Sequence, residues 1–345
     1  MNRLKNYPTG FSILICTFNG AFRLKKTISV LQQLLTERFP AEIIVVDNNS
    51  TDETYSIAVH LQRKHHAIPI KVIRENQPGK THAMITGIAA AQFSFVVICD
   101  DDNWLRSDYL LNAYQIMEKD SNIALLGGMG IPHVEDLLPE WFATYQNAFA
   151  VGGQQHLNGD ADRVWGAGMV IRKHAWDQLF QLGFAGFLTG RKTEQVTMAG
   201  EDSELSLLIK ALGHKIIYSD KLVYEHDLPA SRLTWQSLNQ LWEGFARSSI
   251  YFDMYQYYFE QKQELDKHKI KAWYDNAVKK AMGAFLPAGA PVQLSKILSL
   301  TFIINREGYE AGLDKRRQLF RLKELLRIRK TYQSIFQQIS EFRVA

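Results

Sequence analysis

Short apolar runs alternate with longer amphipathic stretches through the first hundred residues. The runs are rich in β-branched and aromatic residues and too short for helices, so the pattern predicts four buried strands. They lie at residues 11–17, 42–46, 70–74 and 95–99. The stretches predicted as helices are residues 21–35, a segment capped by Ser50 or Thr51, and residues 81–91. This alternation is typical of βαβ units and predicts a parallel, Rossmann-like sheet flanked by helices.

The fourth run ends at three consecutive aspartates, Asp100, Asp101 and Asp102. Ligands of open α/β sheets bind where loops leave the carboxyl ends of the strands, so these side chains are expected at a ligand site. In an extended backbone Asp100 and Asp102 point one way and Asp101 the other. The first and third can then jointly hold Mg²⁺ or Mn²⁺ carrying a diphosphate. A solvated acidic turn is the alternative, and this stretch alone does not decide between them.

The first two strands end in polar turns. Neither the turn at residues 17–20 nor any other segment carries the G-x-G-x-x-G or Walker A sequence, which argues against nicotinamide chemistry and P-loop hydrolysis. Asp47 closes the second strand, where it can accept hydrogen bonds from a base or a ribose. An Asx-turn or helix cap is the other interpretation of Asp47.

Composition limits the remaining classes of protein. A chain of 345 residues suggests a large domain plus a smaller one, and a net charge of +4 is too small to imply nucleic acid as a partner. Cys16 and Cys99 fall in predicted core strands without ligand-type spacing, which favours reduced thiols in a cytoplasmic protein. We expect neither a signal peptide nor a membrane-spanning helix, because no apolar run is long enough.

Four segments together resemble the nucleotide-sugar-dependent glycosyltransferases of family 2, which have the GT-A fold. They are ICTFNG (15–20), VVDNNSTDET (45–54), CDDDNWL (99–105) and AGEDSELSLLIKALGHKIIY (199–218). They follow the family's order over roughly the first two-thirds of the chain, which is more specific than any single motif.

The resemblance implies the following roles. The first turn and Asp47 hold a nucleotide, usually uridine or guanosine diphosphate, and the D-x-D pair Asp100 and Asp102 carries the metal. The family often has Ala-Arg-Asn where residues 83–85 here are Ala-Met-Ile, so Lys80 or His82 is expected to replace the arginine. The residues expected to bind the nucleotide are Thr17, Asn19, Asp47, Asn49, Lys80, Asp101 and Arg232. His226 follows a strand predicted at residues 221–224 and is a candidate third metal ligand, although a histidine at a strand end is often structural.

Glu201 and Asp202 are the expected catalytic residues. Displacing a nucleoside diphosphate requires its charge to be neutralised by a cation and the acceptor hydroxyl to lose a proton to a base. Asp202 matches the family's general base, and Glu201 is expected to touch the acceptor or orient the loop. The alternative is that residues 200–204 are only the acidic start of a helix.

Two glycine-rich segments lie between the acidic sites. Gly127, Gly128 and Gly130 are expected to end a strand over residues 123–126. The segment 165–169 begins with Trp165. Its indole ring is expected either to stack against the face of a sugar or to pack internally against a tight turn.

From residue 229 onward the pattern predicts helices. The last one, from Asp314 to about Phe342, has an apolar stripe (Leu319, Leu322, Leu326, Ile335, Ile339) beside a strongly basic face. This face predicts either peripheral contact with an anionic membrane or a solvated surface whose stripe packs internally.

The sequence therefore predicts a GT-A domain at residues 1–228 and a helical domain at 229–345. The GT-A domain would hold a nucleotide-sugar half at about 1–105 and an acceptor half at about 106–228. The expected function is metal-dependent, inverting sugar transfer from a UDP- or GDP-linked donor to a saccharide or lipid-linked saccharide, in cell-surface polysaccharide or lipopolysaccharide synthesis. A sugar-nucleotide pyrophosphorylase and a non-catalytic nucleotide- or sugar-binding protein are the alternatives.

Overall fold

The structure is a computed structural model that describes residues 6–64, 66–154, 158–183, 186–188, 198–261, 265–283 and 310–341. The chain forms two compact units. The first comprises Met1–Arg191 and Glu201–Leu233, and the second comprises Lys192–Gly200 and Thr234–Ala345.

The first half of unit one consists of strands alternating with helices. Its elements are β1 (Phe11–Thr17), α1 (Ala21–Leu31), β2 (Ala41–Asp47), α2 (Thr54–Gln62), β3 (Ile70–Arg74), α3 (Lys80–Ala90), β4 (Phe95–Ile98) and β5 (Asn103–Leu105). Strands β3, β2, β1 and β4 are neighbours in that order and run parallel. Ile13, Leu14 and Ile15 of β1 are fully buried. Since successive residues of a strand point to opposite faces of the sheet, both faces are buried here, as is typical of parallel sheets.

The second half extends this sheet with strands of both directions. Its elements are α4 (Tyr109–Met117), β6 (Ile123–His133), α5 (Phe142–Tyr145), β7 (Gly159–Asp160), β8 (Val170–Arg172), α6 (Lys173–Gln181), α7 (Glu201–Ala211) and β9 (Lys215–Asp227). In the described residues the strand order is β3-β2-β1-β4-β8-β6-β9-β5, with β7 beside β9. Strand β8 is antiparallel to β4 and β6, and β5 is antiparallel to β9. The carboxyl end of β4 and the end of β9 are thereby brought together.

Two predictions about this half are wrong. The glycines expected to end a strand at residue 126 lie inside β6, which continues to His133 with a register shift between Gly127 and Met129. A Cβ on Gly128 would lie 2.1 Å from the carbonyl oxygen of Leu222, so this glycine permits close approach of β9. The last strand, expected at residues 221–224, runs from Lys215 to Asp227 because it pairs along the length of β6.

Unit two is helical in its described residues. It contains α8 (Trp235–Glu260), α9 (Lys267–Gly283), α10 (Glu310–Arg327) and α11 (Tyr332–Glu341). The single terminal helix predicted from residue 314 is wrong, because α10 and α11 are separated by a turn in which the Thr331 N–H donates to the Ile328 carbonyl. Four of the five stripe residues, Leu319, Leu322, Ile335 and Ile339, are buried within the unit. Among the described helices, none is both long and apolar enough to cross a membrane.

Candidate active site

The loops after β1 and β2 are hydrogen-bonded to each other. Asn19 has a left-handed backbone (φ 50°); its N–H donates to Ser50 Oγ, and its Oδ1 accepts from the Thr51 N–H, both at 2.9 Å. The Gly20 N–H donates to Thr54 Oγ1 at 2.8 Å. Asparagine tolerates the left-handed region better than most residues, so it suits this turn. The predicted nucleotide residue Asn19 thus holds two strand-end loops in place.

Asp47 is a buried carboxylate whose oxygens both lack a hydrogen-bond partner among the residues that the structure describes. Arg74 Nε lies 3.6 Å from Asp47 Oδ2, and the Arg74 guanidinium stacks on the Tyr55 ring, 4.0 Å from its centroid. A buried acceptor without a donor is costly, so this carboxylate is ready to accept N–H or O–H groups from a ligand. Sequence reasoning missed Arg74 and Tyr55, although Arg74 is the register partner of Asp47 across β2 and β3.

Asn48 fixes the loop that leads to Lys80. Its Nδ2 donates to the Gln77 carbonyl at 2.7 Å, and its Oδ1 accepts from the Gly79 N–H at 2.8 Å. Sequence reasoning did not single out Asn48. Its predicted neighbour Asn49 is exposed and has a left-handed φ of 59°.

Asp101 turns away from its two neighbours in sequence and is held by the first turn and α1. It accepts hydrogen bonds from Thr17 Oγ1 at 2.5 Å and from Arg23 Nε and Nη2 at 2.8 and 3.2 Å. Burial raises the pKa of Asp101 in spite of the Arg23 hydrogen bond that lowers it. Thr17 and Asp101 therefore anchor the end of β4, while Asp100 and Asp102 contact other groups.

Lys80 lies between Asp100 and the acidic pair at the start of α7. Its Nζ is 2.7 Å from Asp100 Oδ1 and 3.7 Å from Glu201 Oε1. Burial lowers the pKa of Lys80, but the charges of Asp100 and Glu201 outweigh burial and raise it well above its ordinary value. Burial raises the pKa of Glu201, and the adjacent Asp202 raises it further. One ammonium group thus links the D-x-D segment to the predicted catalytic pair.

Asp102 forms a second cluster with His226 and Arg232. Its Oδ2 is 2.7 Å from Arg232 Nη1 and 3.6 Å from His226 Nε2, and β5 pairing places Asn103 opposite His226. His226 Nδ1 lies 2.7 Å from the Phe149 carbonyl, which can only accept, so Nδ1 carries the proton. Burial would raise the pKa of Asp102, but the charge of the neighbouring Arg232 holds it well below the usual range.

Asp202 is held from two sides. Its Oδ2 accepts from the Gly166 N–H at 2.9 Å, and its Oδ1 accepts from the Ser203 N–H at 2.6 Å. A Cβ on Gly166 would lie 3.5 Å from Lys80 Nζ, so these groups share one corner of the site. Trp165 precedes Gly166 and is half-buried. The carboxylate is positioned to take a proton from a hydroxyl group bound beside it.

The predicted metal ligands do not form a preformed metal-binding site in the described residues. Across the described residues, no three His, Cys, Asp or Glu side chains converge as a metal cluster. Each aspartate of the D-x-D pair instead contacts a cationic side chain, Lys80 or Arg232. The donor chemistry nevertheless fits Mg²⁺ or Mn²⁺, because carboxylate oxygens and a neutral imidazole nitrogen are suitable ligands.

Comparison with known proteins gives matches over the sheet-bearing part of the chain. Residues 12–180 match the model of the family described as Glycosyl transferase family 2. The chain is 23% identical over 252 residues to glycosyltransferase GlyA of Streptococcus pneumoniae, which covers 67% of this chain and 32% of that protein. It is 32% identical over 104 residues to the GalNAc(5)-diNAcBac-PP-undecaprenol beta-1,3-glucosyltransferase of Campylobacter jejuni, covering 30% of this chain and 33% of that protein. The aligned part therefore spans about a third of these relatives.

Two solved structures resemble the chain over most of its length. Mannosyltransferase PcManGT from Pyrobaculum calidifontis, in complex with GDP-Man and Mn²⁺, has a TM-score of 0.53 at 16% identity, covering 92% of this chain and 87% of that one. S. aureus TarS 1-349 in complex with UDP-GlcNAc has a TM-score of 0.51 at 15% identity, covering 95% and 92%. At this identity the likeness concerns the fold alone, and it confirms the predicted GT-A fold with helices following it.

Proposed function

The chain belongs to glycosyl transferase family 2, and from that premise we propose that it is a metal-dependent, inverting glycosyltransferase. Its donor would be a UDP- or GDP-linked sugar, and its cofactor Mg²⁺ or Mn²⁺. The observation that carries the proposal is the position of Lys80, whose Nζ contacts both Asp100 and Glu201. In the proposed reaction, one bound substrate would then contact both the residues assigned to the diphosphate and those assigned to the general base.

The donor would be held by the loops at the carboxyl ends of β1, β2 and β4. The carboxylate oxygens of Asp47, which have no hydrogen-bond partner in the described part of the chain, would accept N–H or O–H groups of the base or ribose. Asp100 and Asp102, with His226, would hold the divalent ion, which supplies neutralisation of the charge that develops on the leaving diphosphate. Lys80 and Arg232 would add positive charge at the same phosphates.

Asp202 would act as the general base on the acceptor hydroxyl. The Gly166 and Ser203 N–H groups fix both of its oxygens, so the carboxylate meets the acceptor in a set orientation. Glu201 would contact the acceptor beside it, with its charge offset by Lys80. A direct attack assisted by one base inverts the configuration at the anomeric carbon.

The acceptor would be a saccharide or lipid-linked saccharide of a cell-surface polysaccharide. The names of two relatives support this class. One names an undecaprenol-linked saccharide, and the other, a glucuronosyltransferase of Methanococcus voltae, names a dolichyl N-acetyl-alpha-D-glucosaminyl phosphate.

A donor screen tests the function. Hydrolysis of several UDP- and GDP-sugars would be measured with Mn²⁺, with Mg²⁺ and with EDTA, for wild type, Asp102→Asn, Asp202→Asn and the control Lys215→Gln. Lys215 pairs with Asp120 on the surface, away from the site. We expect turnover of one donor that EDTA abolishes, a loss of about 10²–10⁴-fold in Asp202→Asn, and unchanged turnover in the control.

Other outcomes would point to the alternatives. Nucleotide binding without turnover of any donor, even with added saccharide acceptors, would indicate a binding protein. Formation of a nucleotide sugar from a nucleoside triphosphate and a sugar 1-phosphate would indicate a pyrophosphorylase. Full turnover in Asp202→Asn would contradict the assigned base.

A further inference from the structure

Arg232 lies between two atoms that the proposed function assigns to the metal. Its Nη1 is 2.7 Å from Asp102 Oδ2 and 3.3 Å from His226 Nε2, and those two atoms are 3.6 Å apart. A single guanidinium nitrogen therefore contacts both groups at once.

The two atoms are also suited to a single divalent cation. Metal–ligand bonds to histidine nitrogen and carboxylate oxygen are about 2.0–2.2 Å long, so one ion can bridge ligands separated by this distance. Because His226 Nδ1 donates to the Phe149 carbonyl, Nε2 of the neutral ring keeps its lone pair directed at Arg232 and Asp102. The guanidinium thus contacts the same lone pairs that an ion would use.

Arg232 can leave this position at small structural cost. Its side chain is 40% exposed, and it lies on the short turn after β9, where its N–H donates to the Pro229 carbonyl at 2.8 Å. It is not part of a strand, and Asp102, which it neutralises, is far less exposed. A planar guanidinium binds phosphate oxygens in pairs, so a diphosphate is a competing partner of the right chemistry.

We propose that Arg232 occupies the place of the divalent ion before the ligands bind, where it neutralises Asp102 and contacts the Nε2 atom of His226. When the ion and a nucleoside diphosphate bind together, the Arg232 side chain moves to the diphosphate. The ion and the nucleotide consequently bind with strong mutual coupling, and the ion alone binds weakly because it must displace the guanidinium. This inference rests on the proposed function, since it takes the metal-bound nucleotide as the ligand. It makes Arg232 a positioning residue.

The test measures the affinity of the full chain for Mn²⁺ in the absence of nucleotide. Binding is monitored through the loss of the electron paramagnetic resonance signal of free Mn²⁺. We expect Arg232→Gln to bind Mn²⁺ at least about tenfold more tightly than wild type, because the competing cation is gone and both ligands remain. Lys215→Gln, which removes an ion pair elsewhere, should match wild type. Adding His226→Gln to Arg232→Gln should remove the gain.

Calorimetric titration with UDP and GDP, in EDTA and in Mn²⁺, gives a second measurement. In wild type Mn²⁺ should tighten the binding of one nucleotide at least about tenfold, and in Arg232→Gln this factor should fall. If circular dichroism shows that Arg232→Gln does not fold, the wild-type titrations still test the proposal, because they measure whether Mn²⁺ and the nucleotide strengthen each other's binding. Tight Mn²⁺ binding to wild type without nucleotide would overturn the proposal.

An unchanged Mn²⁺ affinity in folded Arg232→Gln would overturn it as well. Neither of these Mn²⁺-binding results would contradict the proposed function. That function is contradicted only if no donor is turned over in a metal-dependent way. The two proposals are therefore separated by their readouts, ion binding in one case and donor hydrolysis in the other.

Discussion

Replacing Gly20 with alanine measures how tightly the first turn packs on the middle aspartate. A Cβ at this position would lie 2.0 Å from Asp101 Oδ2 and 2.2 Å from Thr17 Oγ1, far inside van der Waals contact. Both side chains are buried and hydrogen-bonded to each other at 2.5 Å, so neither can retreat without weakening that bond. Gly20 has a φ of −102°, which alanine adopts freely, so the effect is steric and not a matter of backbone strain.

The size of the effect follows from two contributions. Overpacking a filled site costs about 1–3 kcal/mol. Weakening a hydrogen bond to a charged group costs about 1.5–3 kcal/mol. We therefore expect Gly20→Ala to lower the free energy of unfolding of the first unit by about 2.5–6 kcal/mol.

Urea denaturation followed by circular dichroism and tryptophan fluorescence checks this expectation. The two units can unfold in separate transitions, so each transition is fitted separately. Gly166→Ala is the matched control within the same site, because its Cβ would meet Lys80 Nζ and Asp202 Cβ at 3.5 and 3.6 Å, which is ordinary contact. A loss in Gly20→Ala below about 1 kcal/mol, or no larger than that in Gly166→Ala, would refute the steric argument.

Two further predictions concern stability. Glu324→Gln should lower the free energy of unfolding of the second unit by about 3 kcal/mol, because the carboxylate is fully buried against Arg247, and breaking a buried pair is costly. Glu243→Gln removes the other, more exposed partner of Arg247, and a loss there as large as in Glu324→Gln would count against this reasoning in urea denaturation. The hydrogen bond from Thr86 lowers the pKa of Glu75, so the ionised Glu75 stabilises the fold above its unfolded pKa, and this contribution is lost as pH falls through the lower folded value. Glu75→Gln should therefore be less stable than wild type near neutral pH, and the difference should vanish in acid; a difference that persists below the folded pKa would contradict the assignment.

The sequence by itself determined the elements whose signals are local. The apolar run of β1, with Ile13 to Ile15 fully buried, is recognisable because strand length and β-branched composition are properties of the segment itself. The three aspartates are recognisable as a strand end, but their orientations were predicted from extended backbone, whereas residues 101 and 102 form a turn in which the Asn103 N–H donates to the Asp100 carbonyl at 3.0 Å. The polar residues at the strand ends are equally visible in the segments themselves, and from them the sequence alone predicts a ligand site at this edge of the sheet.

Only the tertiary structure decided which distant side chains meet. Arg232 reaches Asp102 across 130 residues, because β5 and β9 pair in a register that places the end of β9 beside the aspartates. Arg74 lies next to Asp47 through the register of β2 and β3. Local patterns do not encode strand order or register, which depend on how all the apolar faces pack at once. The acidic and basic residues were visible in the sequence, but their pairing was a property of the fold.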